Sequence, residues 1–240
     1  MKVRTENNIG ILENEVLTKK INKENVKSKI EIYPYIKRTL DVIIAIVSLV
    51  FLALPMLIIS IAIKIDSKGP VIFKQERTGK NGKNFMLYKF RSMTANNDVH
   101  NFKEENKLTK VGKFIRKTSL DELPQIFNIL KNEMSFIGPR PWITDYNKYF
   151  TENQRRRLEV LPGITGLAQA TGRNGLTIQE KIDLDIKYVD NLSFKLDVKV
   201  FLGTVKTILS KQDAELSKSG IKEELEELKT QNKQKEESVI

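Results

Sequence analysis

The sequence predicts an α+β protein: an N-terminal re-entrant membrane helix-break-helix, then a small, mainly helical cytoplasmic domain with a short β-hairpin. Three observations carry this expectation. Val42–Ile63 reads VIIAIVSLVFLALPMLIISIAI, 22 residues without a charge, and about 20 such residues suffice for a membrane helix. Pro55 stands near the middle of that run. Beyond it, PVIFKQ and FMLYKFR flank a Gly/Asn/Lys turn, as in a β-hairpin, and stretches of helical period follow.

Residues 1–32 are polar and rich in Lys, Glu and Asn, and read as a surface arm. Residues 33–65 form the membrane element. The apolar run begins too far into the chain, is too long and lacks a small-residue cleavage site, which argues against a cleaved signal peptide. Pro55 has no N–H and its ring crowds the carbonyl of Phe51, so the helix is expected to break there. The two pieces are then about 20 Å and 14 Å long at 1.5 Å per residue, too short for a core of about 30 Å. Basic residues flank both ends: Lys23, Lys27, Lys29, Lys37 and Arg38 before, and Lys64, Lys68, Lys74, Arg77, Lys80 and Lys83 after. A spanning helix would show an asymmetry. Equal flanks favour a hairpin with both ends on the cytoplasmic side, with a kinked spanning helix as the alternative.

Residues 66–210 form the expected soluble domain. Strands are predicted at Pro70–Gln75 and Phe85–Arg91, and helices at Thr109–Lys117, Ser119–Lys131, Gln179–Asp190 and Val198–Leu209. Residues 211–240 form a charged tail, in which Ile221, Leu225 and Leu228 have helical spacing.

Composition narrows the chemistry. With 41 Lys+Arg against 30 Asp+Glu, the net charge is +11, which favours an anionic partner. The chain has no cysteine and one histidine, His100, set in the polar stretch NNDVHNFKEEN. Thiolate, disulfide and Cys-zinc chemistry are therefore excluded, and acid–base or nucleophilic work falls to carboxylates.

Asp121 and Glu122, in TSLDELPQIFNIL, are adjacent carboxylates at the start of an apolar helix. The plainest account is a cap: Ser119-x-x-Glu122 matches a capping box, and an Asp121 cap leaves Pro124 within the first turn. Either keeps Asp121 ionised through backbone N–H groups and the helix dipole. Arg116 and Lys117 precede the pair. Arg140 follows in GPRP, between two prolines that stiffen the loop. Lys89 and Arg91 end the second strand. Basic residues around an acidic pair point to a diphosphate and a divalent ion, with a carboxylate holding metal or attacking phosphorus. The glycines of Leu161–Gly175 read as turns, with Arg173 a further phosphate candidate. Their spacing is not a dinucleotide fingerprint, and no P-loop is present.

Four ordered blocks carry a family resemblance. They are KRTLD, DSKGPVIFKQERTGKNGKNFMLYKFRSM, RKTSLDELPQIFNILKNEMSFIGPRP and LPGITGLAQATGRN. From Lys37 to about Leu209 the chain resembles the monotopic phosphoglycosyl transferases, the bacterial polyprenyl-phosphate sugar-1-phosphate transferases. The resemblance implies a re-entrant helix broken at a proline. Many members carry serine before that proline; here it is Leu54, so such a serine's hydrogen bond is missing or supplied elsewhere, as by Ser48. It also implies transfer of a sugar-1-phosphate from a UDP-sugar to polyprenyl (undecaprenyl) phosphate, releasing UMP, in a first membrane step of capsule, exopolysaccharide or glycoconjugate synthesis. Asp121 would be the nucleophile and form a covalent phosphosugar intermediate. Glu122 would hold Mg²⁺ with Asp121 or act as a base. Lys89, Arg91, Arg116, Arg140 and Arg173 would bind phosphate. The expected location is the cytoplasmic leaflet of a bacterial cell membrane, where Lys37, Arg38, Lys64 and Lys68 would meet anionic lipid. Nucleic acid is not an expected partner, since interleaved aromatics are lacking, and a homodimer stays open. The alternatives are a membrane-anchored basic scaffold and another lipid-phosphate enzyme. The sequence does not select the sugar.

Overall fold

The computed structural model describes residues 3–94, 108–172, 175–209, 226 and 228–230. His100, Arg173, Ile221 and Leu225 lie outside the described residues.

The chain opens with one long helix, α1 (Val3–Asp66), which runs through both Pro34 and Pro55. The polar arm is thus helical from Val3, and the expected separation into two helices at Pro55 is not seen. A proline removes one N–H···O bond to the preceding turn, here that to Phe51, while its neighbours keep theirs. Packing supplies the rest. Ala45, Met56 and Ile63 are buried, and Leu49, Leu52 and Ile59 pack beside them against the soluble domain. The other face is bare: Val50, Phe51, Leu54, Leu57, Ile58, Ile61 and Ile65 are all exposed. By length and composition Ile32–Asp66 is apolar enough to cross a membrane.

The hairpin follows as expected, its strand ends shifted by one to three residues. Strand β1 (Ile72–Thr78) pairs antiparallel with β2 (Asn84–Phe90), and Lys74 faces Tyr88. The turn places Asn81 and Gly82 at φ of 56° and 74°, the left-handed region that Asn and Gly tolerate. Helix α2 (Lys110–Lys117) is capped by Thr109, whose Oγ1 accepts from Gly112 N at 2.8 Å.

The predicted Ser119–Lys131 helix is split. Ser119 turns left-handed at φ 56°, a single 3-10 turn covers Leu120–Glu122, and α3 (Gln125–Leu130) starts only after Pro124. Proline fits a helix's first positions but not its interior, and this decides the break. Two further strands escaped the sequence reading. Strand β3 (Ser135–Ile137) pairs in parallel with β4 (Gly163–Thr165). Three-residue strands leave no periodic signal.

Helices α4 (Glu152–Arg155), α5 (Leu167–Gly172), α6 (Ile178–Asp190) and α7 (Phe194–Leu209) complete the domain. Helix α6 begins in a full capping box between Thr177 and Glu180. Phe85, Leu87, Ile126, Ile129 and Met134 form one core with Ala45 of α1. Ile143, Tyr146, Phe150, Ile178, Ile182 and Ile186 form another.

Candidate active site

The site is assembled on three supports. The 3-10 turn carries Asp121 and Glu122, β2 carries Lys89, and the loop after β3 carries Arg140. Glu122 Oε1 accepts from Lys89 Nζ at 2.7 Å and from Arg140 Nη2 at 3.1 Å. Burial opposes ionisation of Glu122, but the two cations outweigh it and hold its carboxyl down at about 2. A carboxylate so strongly ionised is a poor general base. The capping roles are also corrected. Ser119 makes no side-chain cap bond, and Pro124, not Asp121, stands at the N-cap of α3.

Asp121 is buried and, among the described residues, forms no salt bridge. Its carboxyl is raised above the ordinary range, by burial first, with Lys89 pulling it down and Glu122 pushing it up. The expectation that a helix end keeps it ionised fails, because that helix starts past Pro124. Lys89 is lowered by burial and partly restored by Glu122.

Among the described residues Arg116 Nη1 is buried without a hydrogen-bond partner, and its charge acts on Asp121. Such an orphan donor beside an unpaired carboxylate suits an anionic ligand. Arg91 is placed differently. It is buried, and its guanidinium donates to Lys68 O at 2.9 Å, Ser67 O at 2.7 Å and Ser67 Oγ at 2.9 Å. Through both Nη atoms it ties the hairpin to the end of α1, while its Nε is buried without a hydrogen-bond partner among the described residues. Lys37 and Arg38 are also engaged within the protein. Lys37 Nζ meets Asp197 Oδ2 at 2.8 Å, and Arg38 Nη1 donates to Ile129 O at 2.8 Å.

The loop holding Arg140 is fixed by close backbone contact. A Cβ on Gly163 would stand 2.2 Å from Gly138 N, so only glycine fits there. With that approach open, Gly138 N donates to Thr165 O and Gly163 N to Pro139 O, both at 2.9 Å. The glycines therefore serve contact between two segments and not only turns. From the other side Arg157, fully buried, donates through Nη2 to Arg140 O at 2.7 Å and pairs with Asp185 at 2.6 Å. Its guanidinium lies 4.3 Å from the Trp142 ring centre, a stacked cation–π contact.

Sequence reasoning missed Arg157 and Asp185, and it missed Arg77. Arg77, on β1, donates to Pro141 O at 3.3 Å and to Gln75 Oε1, and its Nε is buried without a partner. Burial and then Arg140 push it down to about 10. The strand alternation, with Gln75 and Arg77 less exposed than Lys74 and Glu76, was the available signal. Lys89, Arg140, Arg116 and Arg77 thus surround two carboxylates, one of them already neutralised. The excess positive charge suits a phosphate-bearing substrate.

Four basic side chains around two adjacent carboxylates, set beside an exposed apolar helix, suit a phosphate-bearing ligand on a membrane-associated protein. The chain belongs to the bacterial sugar transferase family, whose model matches residues 32–211. Among its relatives, the uncharacterized sugar transferase EpsL of Bacillus subtilis (strain 168) is 46% identical over 176 residues, covering 72% of this chain and 87% of the relative. A Klebsiella pneumoniae UDP-glucose:undecaprenyl-phosphate glucose-1-phosphate transferase is 42% identical, covering 70% of this chain and 39% of the relative. The Aeromonas hydrophila UDP-N-acetylgalactosamine-undecaprenyl-phosphate N-acetylgalactosaminephosphotransferase is 39% identical, covering 75% and 45%. The aligned parts thus amount to less than half of these last two relatives.

Proposed function

We propose that this protein transfers a sugar-1-phosphate from a UDP-sugar to undecaprenyl phosphate, releasing UMP, with Asp121 as nucleophile. The observation that carries the reading is the contrast between adjacent carboxylates: Glu122 is tied by Lys89 and Arg140, while Asp121 forms no salt bridge among the described residues. The relatives' names differ in the sugar and share the undecaprenyl phosphate acceptor. This supports a common phosphate chemistry and leaves the sugar open.

In the proposed sequence an Asp121 carboxylate oxygen attacks the donor's β-phosphorus. The bond from that phosphorus to the bridging oxygen breaks, and the electron pair leaves on UMP. A phosphate oxygen of the lipid then attacks the same phosphorus and expels Asp121. The product is a polyprenyl diphosphate sugar, and the carboxylate is restored. Lys89 and Arg140, fixed through Glu122, meet the charge that develops on the phosphoryl oxygens without reorganising. Arg116 contributes its free Nη1.

Mg²⁺ fits this set. Both cations bind Glu122 through Oε1, so Oε2 and the Asp121 carboxylate remain for a metal that takes one or two carboxylates plus substrate phosphates. Bound there, it would neutralise diphosphate charge. Among the described residues no group of three or more acidic or histidine ligands occurs, so substrate phosphates and water would have to complete its coordination.

The topology reading is monotopic, on the cytoplasmic leaflet. Its support is that both ends of the apolar segment are fastened to one soluble domain. Asp41 Oδ1 accepts from Phe136 N at 3.3 Å, and Asp66 Oδ2 accepts from Val111 N at 2.8 Å. A helix held along a charged domain at both ends offers only its outer face to lipid.

The test is UMP release from a panel of UDP-sugars, with and without undecaprenyl phosphate. Acceptor-dependent release from at least one donor is expected, and Asp121→Asn should abolish it. Without acceptor, radiolabelled phosphosugar should be trapped on Asp121. A label on another residue, or an active Asp121→Asn enzyme, would sink the assignment.

A further inference from the structure

Leu228 is fully buried, although it lies beyond residue 211, where the family match ends. It sits in the cluster of Ile143, Tyr146, Phe150, Ile178, Ile182 and Ile186, against which Trp142 and Tyr149 also pack. The next residue adds a second anchor: Lys229 Nζ stands 5.0 Å from the ring centre of Tyr149. Thr230 Oγ1 donates to Glu226 O at 2.9 Å, so these residues make a helical turn.

The two walls of this cluster are the two elements that set Arg140. Residues 142–150 continue directly from the Gly138–Pro141 loop. Helix α6 carries Asp185, which holds Arg157, whose Nη2 donates to the Arg140 carbonyl. A side chain wedged between the walls fixes their separation, because packed interiors tolerate neither voids nor slack.

We propose that the C-terminal segment around Leu228 and Lys229 is an intrachain strap that clamps residues 142–150 onto α6 and thereby positions Arg140 for the donor's phosphates. Leu228 is a positioning residue, acting through the loop and touching no substrate. Docking of the strap is independent of the transferase reading; its effect on the donor rests on that reading.

Trp142 is the only tryptophan in the chain, so its emission reports on this cluster. The experiment uses full-length protein in detergent, with UDP as the binding probe. Leu228→Asp should shift Trp142 emission to the red, increase acrylamide quenching and weaken UDP binding about tenfold, in keeping with the cost of small misplacements. Leu228→Ala should do the same to a lesser degree, and Leu228→Met should restore both. In an Arg140→Ala background Leu228→Asp should weaken UDP binding no further, since the two act through one group. Unchanged emission in Leu228→Asp would overturn docking. Shifted emission with unchanged UDP affinity, or a full additive loss on top of Arg140→Ala, would overturn the link to Arg140. A red shift of wild-type Trp142 emission on dilution would assign Leu228's place in the cluster to a second copy's tail and overturn the intrachain strap. Wild-type protein that binds UDP yet turns over no UDP-sugar would sink the transferase reading and leave the strap standing.

Discussion

Lys89 and Glu122, 33 residues apart, form a 2.7 Å ion pair that brings the end of the hairpin onto the turn that carries Asp121. The pair sets the charge state of its neighbour as well as its own. Lys89 lowers both carboxyls, whereas burial raises both. Activity that needs ionised Asp121 should fall as pH drops through its raised pKa, and so at a higher pH than an ordinary aspartate would give. Lys89→Met removes the lowering influence. It should cut kcat by about a hundredfold or more and move the acid limb of the pH–rate profile upward. An unmoved acid limb would separate Lys89 from Asp121.

Arg77 should behave as a donor-site residue. Its buried Nε has no partner, and its charge lies against Arg140. Arg77→Lys keeps charge but loses the planar fork. The donor KM should rise about tenfold, one lost charge-assisted bond being worth about 1.5 kcal/mol. Equal KM values for variant and wild type would reduce Arg77 to a support for the Pro141 carbonyl.

The Arg157–Asp185 pair should matter most to stability. Both side chains are almost wholly inaccessible. Asp185→Asn leaves a buried guanidinium without its counter-charge, and breaking such a pair costs about 3–5 kcal/mol. A fall in thermal midpoint of several degrees is expected by fluorescence-detected unfolding. Arg157→Lys should not rescue, since an ammonium can neither stack on Trp142 in the same way nor hold Asp185 and the Arg140 carbonyl through one fork.

Arg91→Ala should destabilise without changing donor affinity in the folded fraction. Its side-chain bonds run to Ser67 and Lys68, and each buried charged bond lost costs about 1.5–3 kcal/mol. Thermal unfolding against donor KM separates the roles. A raised KM would return Arg91 to the phosphate site.

Topology is open to labelling because the chain has no cysteine of its own. Cysteines introduced at Lys29 and Lys83 should both react with a membrane-impermeant reagent only from the cytoplasmic side. Opposite accessibility would restore a spanning helix.

The sequence by itself determined the elements whose signals are local. The long apolar run, the hairpin and the helix expected over Gln179–Asp190 all follow from neighbours close in the chain. So does the reaction class, through blocks of matching order. What it could not decide depended on distant partners. Pro55 looked like a break, but packing along the domain keeps α1 helical through it. Asp121 looked like a cap, but Ser119 and Pro124 divide that helix and leave the carboxylate in a buried turn. Arg91 and Arg140 read alike as basic residues near the motif. Only tertiary structure sent one to the end of α1 and the other to Glu122, because a guanidinium's role is set by whichever acceptors the fold brings within reach.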